Sequence, residues 1–201
     1  MTSYIKTYTP PPIDKKEVLR YAGVAKTADG TALLPLVDEC IAEAESVFTY
    51  KVCYREFPVY RTSDALDLGF AKTVSRALQK NLDGCDAVIL FAATVGVGID
   101  RLISKYTRLS PAKALIFQAL GAERVEALVD TFYAEQKSEK TTVHKSLRPR
   151  FSAGFGDLPL TFQKEIFSAL GAEKAVGIYL SDSMLMSPTK SVTALIGVAN
   201  M

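Results

Sequence analysis

The segment Arg148-Pro149-Arg150-Phe151-Ser152-Ala153-Gly154-Phe155-Gly156-Asp157-Leu158-Pro159 packs two arginines, two phenylalanines, two glycines and two prolines into twelve residues. Arginine offers a planar fork of donors that matches a carboxylate. Glycine lets a backbone approach a ligand closely, and an aromatic ring stacks on a flat one. A ligand-binding loop and a rigid structural turn both fit this composition. A second segment, Ser181-Asp182-Ser183-Met184-Leu185-Met186-Ser187-Pro188-Thr189-Lys190-Ser191-Val192, joins hydroxyls to two methionines. Those methionines suit either a large apolar ligand or the core.

Other segments carry weaker chemistry. Gly96 and Gly98 follow the apolar run Ala87 to Ala93, and a strand–glycine turn–helix aims backbone N–H groups at an anion. The dinucleotide pattern needs a third glycine where Arg101 stands, so a nucleotide-dependent enzyme has little support and a tight turn fits as well. Lys137, Lys140, His144, Lys145, Arg148 and Arg150 are opposed locally by Glu139 alone. They are expected in a polar, basic loop from Lys137 to Pro149 that meets a phosphate or acidic surface, or is simply solvated. His144, the one histidine, has no nearby Asp or Cys partner, and no G-x-S-x-G elbow is present. Cys40, Cys53 and Cys85 form no C-x-x-C pair and read as buried thiols in a reduced, cytoplasmic protein.

Composition agrees with a globular chain: 201 residues, 48% apolar, 23% charged, net charge +2. That charge balance argues against nucleic acid or an anionic membrane as the main partner. No apolar run is long enough to span a bilayer, and the residues from Met1 to Lys6 lack a secretory apolar core.

The elements that must position these residues are expected as follows. Residues 1–12, ending in Pro10-Pro11-Pro12, form an extended lead-in to one domain covering 1–201. Asp14 caps a helix from Lys15 that ends at Gly23, and a second helix runs from Ala32 to Ser46. Val47 to Tyr60 reads as two strands, or one bent at a sheet edge near Pro58. Phe70 to Leu82 is helical, Ala87 to Phe91 is a strand buried on both faces, and Gly98 to Lys105 is a helix. Ser110-Pro111 starts another helix, continuous or broken at Gly121. Thr161 to Leu170 is a helix capped by Gly171, and strands cover Val176–Leu180 and Val192–Val198. Phe117 to Arg124 and Phe167 to Lys174 share one phrase, read as the same helix stop used twice. The order favours an α+β fold with a mixed, largely antiparallel twisted sheet and clustered helices.

Two phrases together resemble the activation domain of cobalamin-dependent methionine synthase. Its R-x-x-x-G-Y motif is similar to Arg150-Phe151-Ser152-Ala153-Gly154-Phe155, with phenylalanine in place of tyrosine. Its T-E-S-x-x-M-x-P-x-x-S-V stretch is similar to Ser181 through Val192, with Asp182 in place of glutamate. The helix around Glu126 also resembles a family helix that carries an acidic ligand residue. The resemblance implies reductive reactivation of a separate methionine synthase or related corrinoid methyltransferase. In it, S-adenosylmethionine is bound and its methyl group presented to cob(II)alamin carried by the partner, with an electron from a flavodoxin-like donor. It further implies that Arg150 meets the ligand's carboxylate, Glu126 its amino group, and Phe155 the adenosine or corrin. Gly154, beside Ala153, would allow close approach. The family's tyrosine-bearing strand beyond the second motif has no counterpart before Met201, which leaves an alternative: a corrinoid-protein binding module without the S-adenosylmethionine site.

Overall fold

A computed structural model of the chain describes residues 3–24 and 32–201. The elements, in order, are β1 (Tyr4–Thr7), α1 (Lys15–Tyr21), α2 (Leu34–Ala44), β2 (Lys51–Pro58), β3 (Tyr60–Arg61), β4 (Leu66–Asp67), β5 (Lys72–Thr73), α3 (Arg76–Asn81), β6 (Cys85–Thr94), α4 (Gly98–Leu109), α5 (Pro111–Thr141), β7 (Lys145–Leu147), α6 (Gln163–Leu170), α7 (Ala172–Val176), β8 (Tyr179–Leu180), β9 (Met186–Ser187) and β10 (Ser191–Asn200). Five strands form the central sheet in the order β1-β2-β6-β10-β7, and every pairing in it is antiparallel. This is the α+β architecture expected, with helices packed on both faces of the sheet.

Strand β6 shows why the sheet sits in the middle. Its side chains alternate between faces. Ile89, Phe91 and Ala93 join Val18, Val37, Phe117, Leu128 and Phe132 from α1, α2 and α5 in one core. Val88, Leu90 and Ala92 join Leu78, Ile166, Leu170 and Val176 from α3, α6 and α7 in a second. A strand with apolar residues on both faces is therefore held from two sides.

Several expectations shift. Residues 4–7 of the lead-in form an edge strand paired with β2. Strand β2 lies inside the sheet between β1 and β6, and Pro58 is its last residue. The helix expected from Phe70 shrinks to α3, because Lys72–Thr73 is a short strand and Ser75 caps the helix through its Oγ. Val176 ends α7 rather than starting a strand, and Gly177 leaves that helix at a positive φ.

Helix α5 settles the question of a break. It runs 31 residues through Gly121 without interruption. A Cβ at Gly121 would lie 2.8 Å from Lys190 Cγ and 3.2 Å from Ile99 Cγ1. The glycine therefore makes room for a neighbour. Gly171, in the same phrase, takes φ 60° and does end α6.

The N-terminal segment is fastened along α5. Arg124 donates to the carbonyls of Pro11 (2.5 Å) and Pro12 (2.7 Å), and Glu123 Oε1 accepts from the Asp14 amide (3.0 Å). Further along, Lys6 and Tyr8 both hydrogen-bond Glu135.

Candidate functional site

The Arg150 segment hangs on β10. Arg148 N donates to Gly197 O (2.9 Å), Phe151 and Leu195 exchange backbone hydrogen bonds, and Ser152 Oγ donates to Thr193 O (2.9 Å). The chain then turns sharply. Gly154 at φ 87° donates its amide to Leu158 O (2.9 Å), and Gly156 is also at positive φ. Asp157 closes the turn by accepting from Ser75 Oγ and from the amides of Arg76 (2.8 Å) and Ala77 (3.1 Å) at the start of α3. The Ser75 hydroxyl first, then those amides, hold the Asp157 carboxyl below the usual carboxylate range. Asn81 Nδ2 adds a bond to Pro149 O (3.2 Å). A loop tied at both ends in this way keeps its side chains in place.

Between that loop, α3, α5 and β10 lies a cleft of about 440 Å³. That volume falls in the range of small-ligand sites, roughly 300–1,000 Å³. Arg150, Glu126 and Phe155 all line it. Arg150 Nη1 lies 3.3 Å from Glu126 Oε2, and Nη2 lies 3.1 Å from Asp130 Oδ1. One guanidinium thus faces two carboxylates, and the group carries a net negative charge. Phe155 is 71% exposed and lies edge-to-face with Phe151, at 6.0 Å between ring centres. An exposed aromatic beside opposite charges can hold a flat ring attached to a zwitterion.

Val192, the end of the second marked segment, lines the cleft, and residues that the sequence did not single out complete it: Asn81 and Ala194 on its walls, and Asp130 on the guanidinium. Asn81 Oδ1 is buried and has no hydrogen-bond partner among the described residues. Ser152 Oγ is committed to a backbone carbonyl, so no activated nucleophile stands here. Ala153 and Gly154 lie beside the cleft without lining it; Ala153 packs against the second core, and a Cβ at Gly154 would come 3.2 Å from Leu160.

The other marked segments have structural work. Ser191 Oγ donates to Pro188 O (2.7 Å) and lies within hydrogen-bond distance of Thr94 Oγ1 (2.9 Å), and Thr189 bonds Asp100 on α4 through its amide (2.9 Å) and hydroxyl. Lys190 crosses Gly121 and donates to Gln118 Oε1 (2.6 Å). Met184 is buried and Met186 packs against the second core. The segment thereby pins the start of β10, which carries Val192 and Ala194. The Gly96–Gly98 turn serves packing: a Cβ on Gly98 would lie 2.3 Å from Val47 O.

The expected basic loop is corrected in two ways. Lys137 and Lys140 belong to the last turns of α5, and Lys145 to β7. Three of its charges are also spoken for: Lys140 pairs with Glu56, Lys145 with Asp86 (2.9 Å), and Arg150 with Glu126 and Asp130. No group of metal-ligating side chains gathers among the described residues. All three cysteines are free and buried, and burial pushes Cys40 and Cys53 up to about 11, so their thiols are unreactive near neutral pH. Among the described residues no helix is long and apolar enough to cross a membrane.

Comparison with known proteins bears on this arrangement. Residues 74–200, more than half of the chain, match the family model described as the activation domain of vitamin B12 dependent methionine synthase. The chain belongs to this activation-domain family. The matched span includes α3, α5, the Arg150 segment and β10, which together wall the cleft. Among solved structures, the chain resembles one described as "Crystal Structure of the MetH Reactivation Domain bound to AdoHcy". The TM-score is 0.72 at 16% identity, over 98% of this chain and 78% of that one. At that identity the likeness establishes the activation-domain fold, and it extends that fold to the N-terminal residues outside the family match. A search of the curated proteins finds no match.

Proposed function

We propose that the protein binds S-adenosylmethionine in the Arg150 cleft and presents its methyl group to cobalamin carried by a separate methionine synthase or related corrinoid protein, restoring that protein to its active state. The observation that carries this reading is the meeting of Arg150, Glu126 and Phe155, from two distant segments, in one cleft. Membership of the activation-domain family supports it, as does the similar solved structure, a reactivation domain bound to AdoHcy.

The residues present fit such a ligand. Its carboxylate would take the Arg150 fork. Its ammonium would meet Glu126, and the positive sulfur is favoured by the surplus negative charge of Glu126 and Asp130. Phe155 would flank the adenosine or face the corrin, and Gly154, beside Ala153, would allow close approach. S-adenosylmethionine, when bound, supplies a methyl group on a positively charged sulfur. The chain's own residues bind and orient; none is placed for proton transfer, so its contribution is positioning. A flavodoxin-like electron donor and a cytoplasmic setting complete the proposal, the latter supported by three unpaired thiols.

One observation favours the second reading, a corrinoid-protein binding module without the methyl-donor site: the Arg150 fork is already shared by two carboxylates. Calorimetry separates the two. Saturable S-adenosylmethionine binding that falls about tenfold in Arg150→Ala supports the first, the low end of what a charge-assisted pair contributes because Arg150 must first leave its partners. Binding to the corrinoid partner with no S-adenosylmethionine affinity, free or in that complex, sinks the first and supports the second.

A further inference from the structure

A second cleft, of about 850 Å³, opens on the other side of Asn81. Arg76, Lys80 and Arg148 line it, opposed by the single carboxylate of Asp83. Arg148 comes from the expected basic loop, whereas Arg76 and Lys80 belong to α3. Arg76 and Lys80 are exposed, and neither has a side-chain partner among the described residues. Arg148 is held by Nη2 donating to the Asp83 backbone carbonyl (2.7 Å). A carbonyl fixes the guanidinium without cancelling its charge. Asp83 in turn lies 3.9 Å from Arg61, which takes up part of its own charge.

Three uncancelled cations around one concavity raise the local concentration of anions. A fixed guanidinium adds a planar fork suited to phosphate oxygens. The excess of positive charge matches a dianion better than a single carboxylate. Ala77 and Pro149 add apolar wall for an organic remainder.

We propose that this cleft binds the dianionic phosphate of a small phosphate monoester, at a site separate from the Arg150 cleft and sharing only Asn81 with it. Arg148 supplies the fixed fork, and Arg76 and Lys80 supply mobile charges that close on the remaining oxygens. The site stands on α3 and the residues that flank it, whatever occupies the Arg150 cleft.

The test uses inorganic phosphate and glycerol 3-phosphate, adenine-free probes, titrated into the full chain at low ionic strength by calorimetry. Saturable binding is expected, about a hundredfold weaker in Arg76→Ala/Lys80→Ala and about tenfold weaker in Arg148→Lys, which keeps charge but loses the fork. Unchanged thermal melts show that the variants fold. Phosphate binding should survive in Arg150→Ala, and S-adenosylmethionine binding should survive in the Arg76/Lys80 variant, so the two sites succeed or fail independently. No saturation by either probe, binding untouched by the Arg76/Lys80 change, or binding lost only in Arg150→Ala would each overturn the proposal. The first of these would leave the patch to an acidic protein surface.

Discussion

Replacing Arg124 by methionine should loosen the N-terminal segment and destabilise the fold by about 3–5 kcal/mol, the usual cost of breaking a buried ion pair from one side. Arg124 is 1% exposed and Glu123 4%. The guanidinium makes two bonds to Glu123, at 2.5 and 2.6 Å, and two to the Pro11 and Pro12 carbonyls. Burial alone would push Arg124 down, but Glu123 and Tyr50 outweigh it and hold the group charged. Methionine keeps much of the side-chain volume and removes every donor. Glu123 is then a buried charge facing only the Asp14 amide, and two carbonyls lose their partners. Adding Glu123→Gln should return part of the loss, because the stranded charge is gone. Urea unfolding measures both changes, and the melting temperature should fall by about 2–4 °C per kcal/mol for a chain of this size. An Arg124→Met protein within about 1 kcal/mol of the parent, or a double variant no more stable than the single, would refute the reasoning.

Two glycines should respond differently to alanine. Gly98→Ala sets a Cβ against the Val47 carbonyl oxygen, backbone against backbone, and should cost about 1–3 kcal/mol or more; Gly171→Ala meets open space and should lose only the left-handed penalty of about 1–2 kcal/mol. Equal stability of Gly98→Ala and parent in urea would contradict the first. Acid should unfold the protein steeply below about pH 4. Burial pulls the Glu135 carboxyl upward, but Lys6 and Tyr8 outweigh it, while Ser75 and Lys145 respectively hold Asp157 and Asp86 low. Folded values below the unfolded ones mean this stability is present above about pH 4 and is lost as pH falls through the folded values. Asp157→Asn and Glu135→Gln should flatten the decline in thermal melts between pH 7 and pH 3, and an unchanged slope would count against these carboxylates.

The parts of the fold legible in the sequence were those whose pattern is local. A run buried on both faces, Ala87 to Phe91, announced β6, and Asp14 and Ser110-Pro111 announced their helices. Distant partners were not legible. Gly121 and Gly171 sit in the same phrase, yet only Gly171 stops a helix, because Lys190 from another element occupies the space that Gly121 leaves. The basic loop looked unopposed because Glu56, Asp86 and Glu126 lie elsewhere in the chain. In the cleft, the resemblance pointed to Arg150, Glu126 and Phe155, and the fold brings these three together. Asn81 and Asp130 carry no motif, and only the packing of α3 and α5 against the loop reveals them.

The pairing of β6 with β10 has a consequence for how the chain is made. Ser191 lies opposite Thr94, 97 residues further along. At about 5–20 residues per second, a ribosome needs roughly 5–20 s to supply the second strand after finishing the first. Throughout that interval one edge of an almost wholly apolar strand, Val88 to Ala93, stands open. Nascent chains are then at their most prone to pair with one another. The yield of active protein in a cell should therefore respond to elongation rate and chaperone supply more sharply than the stability of the finished fold suggests.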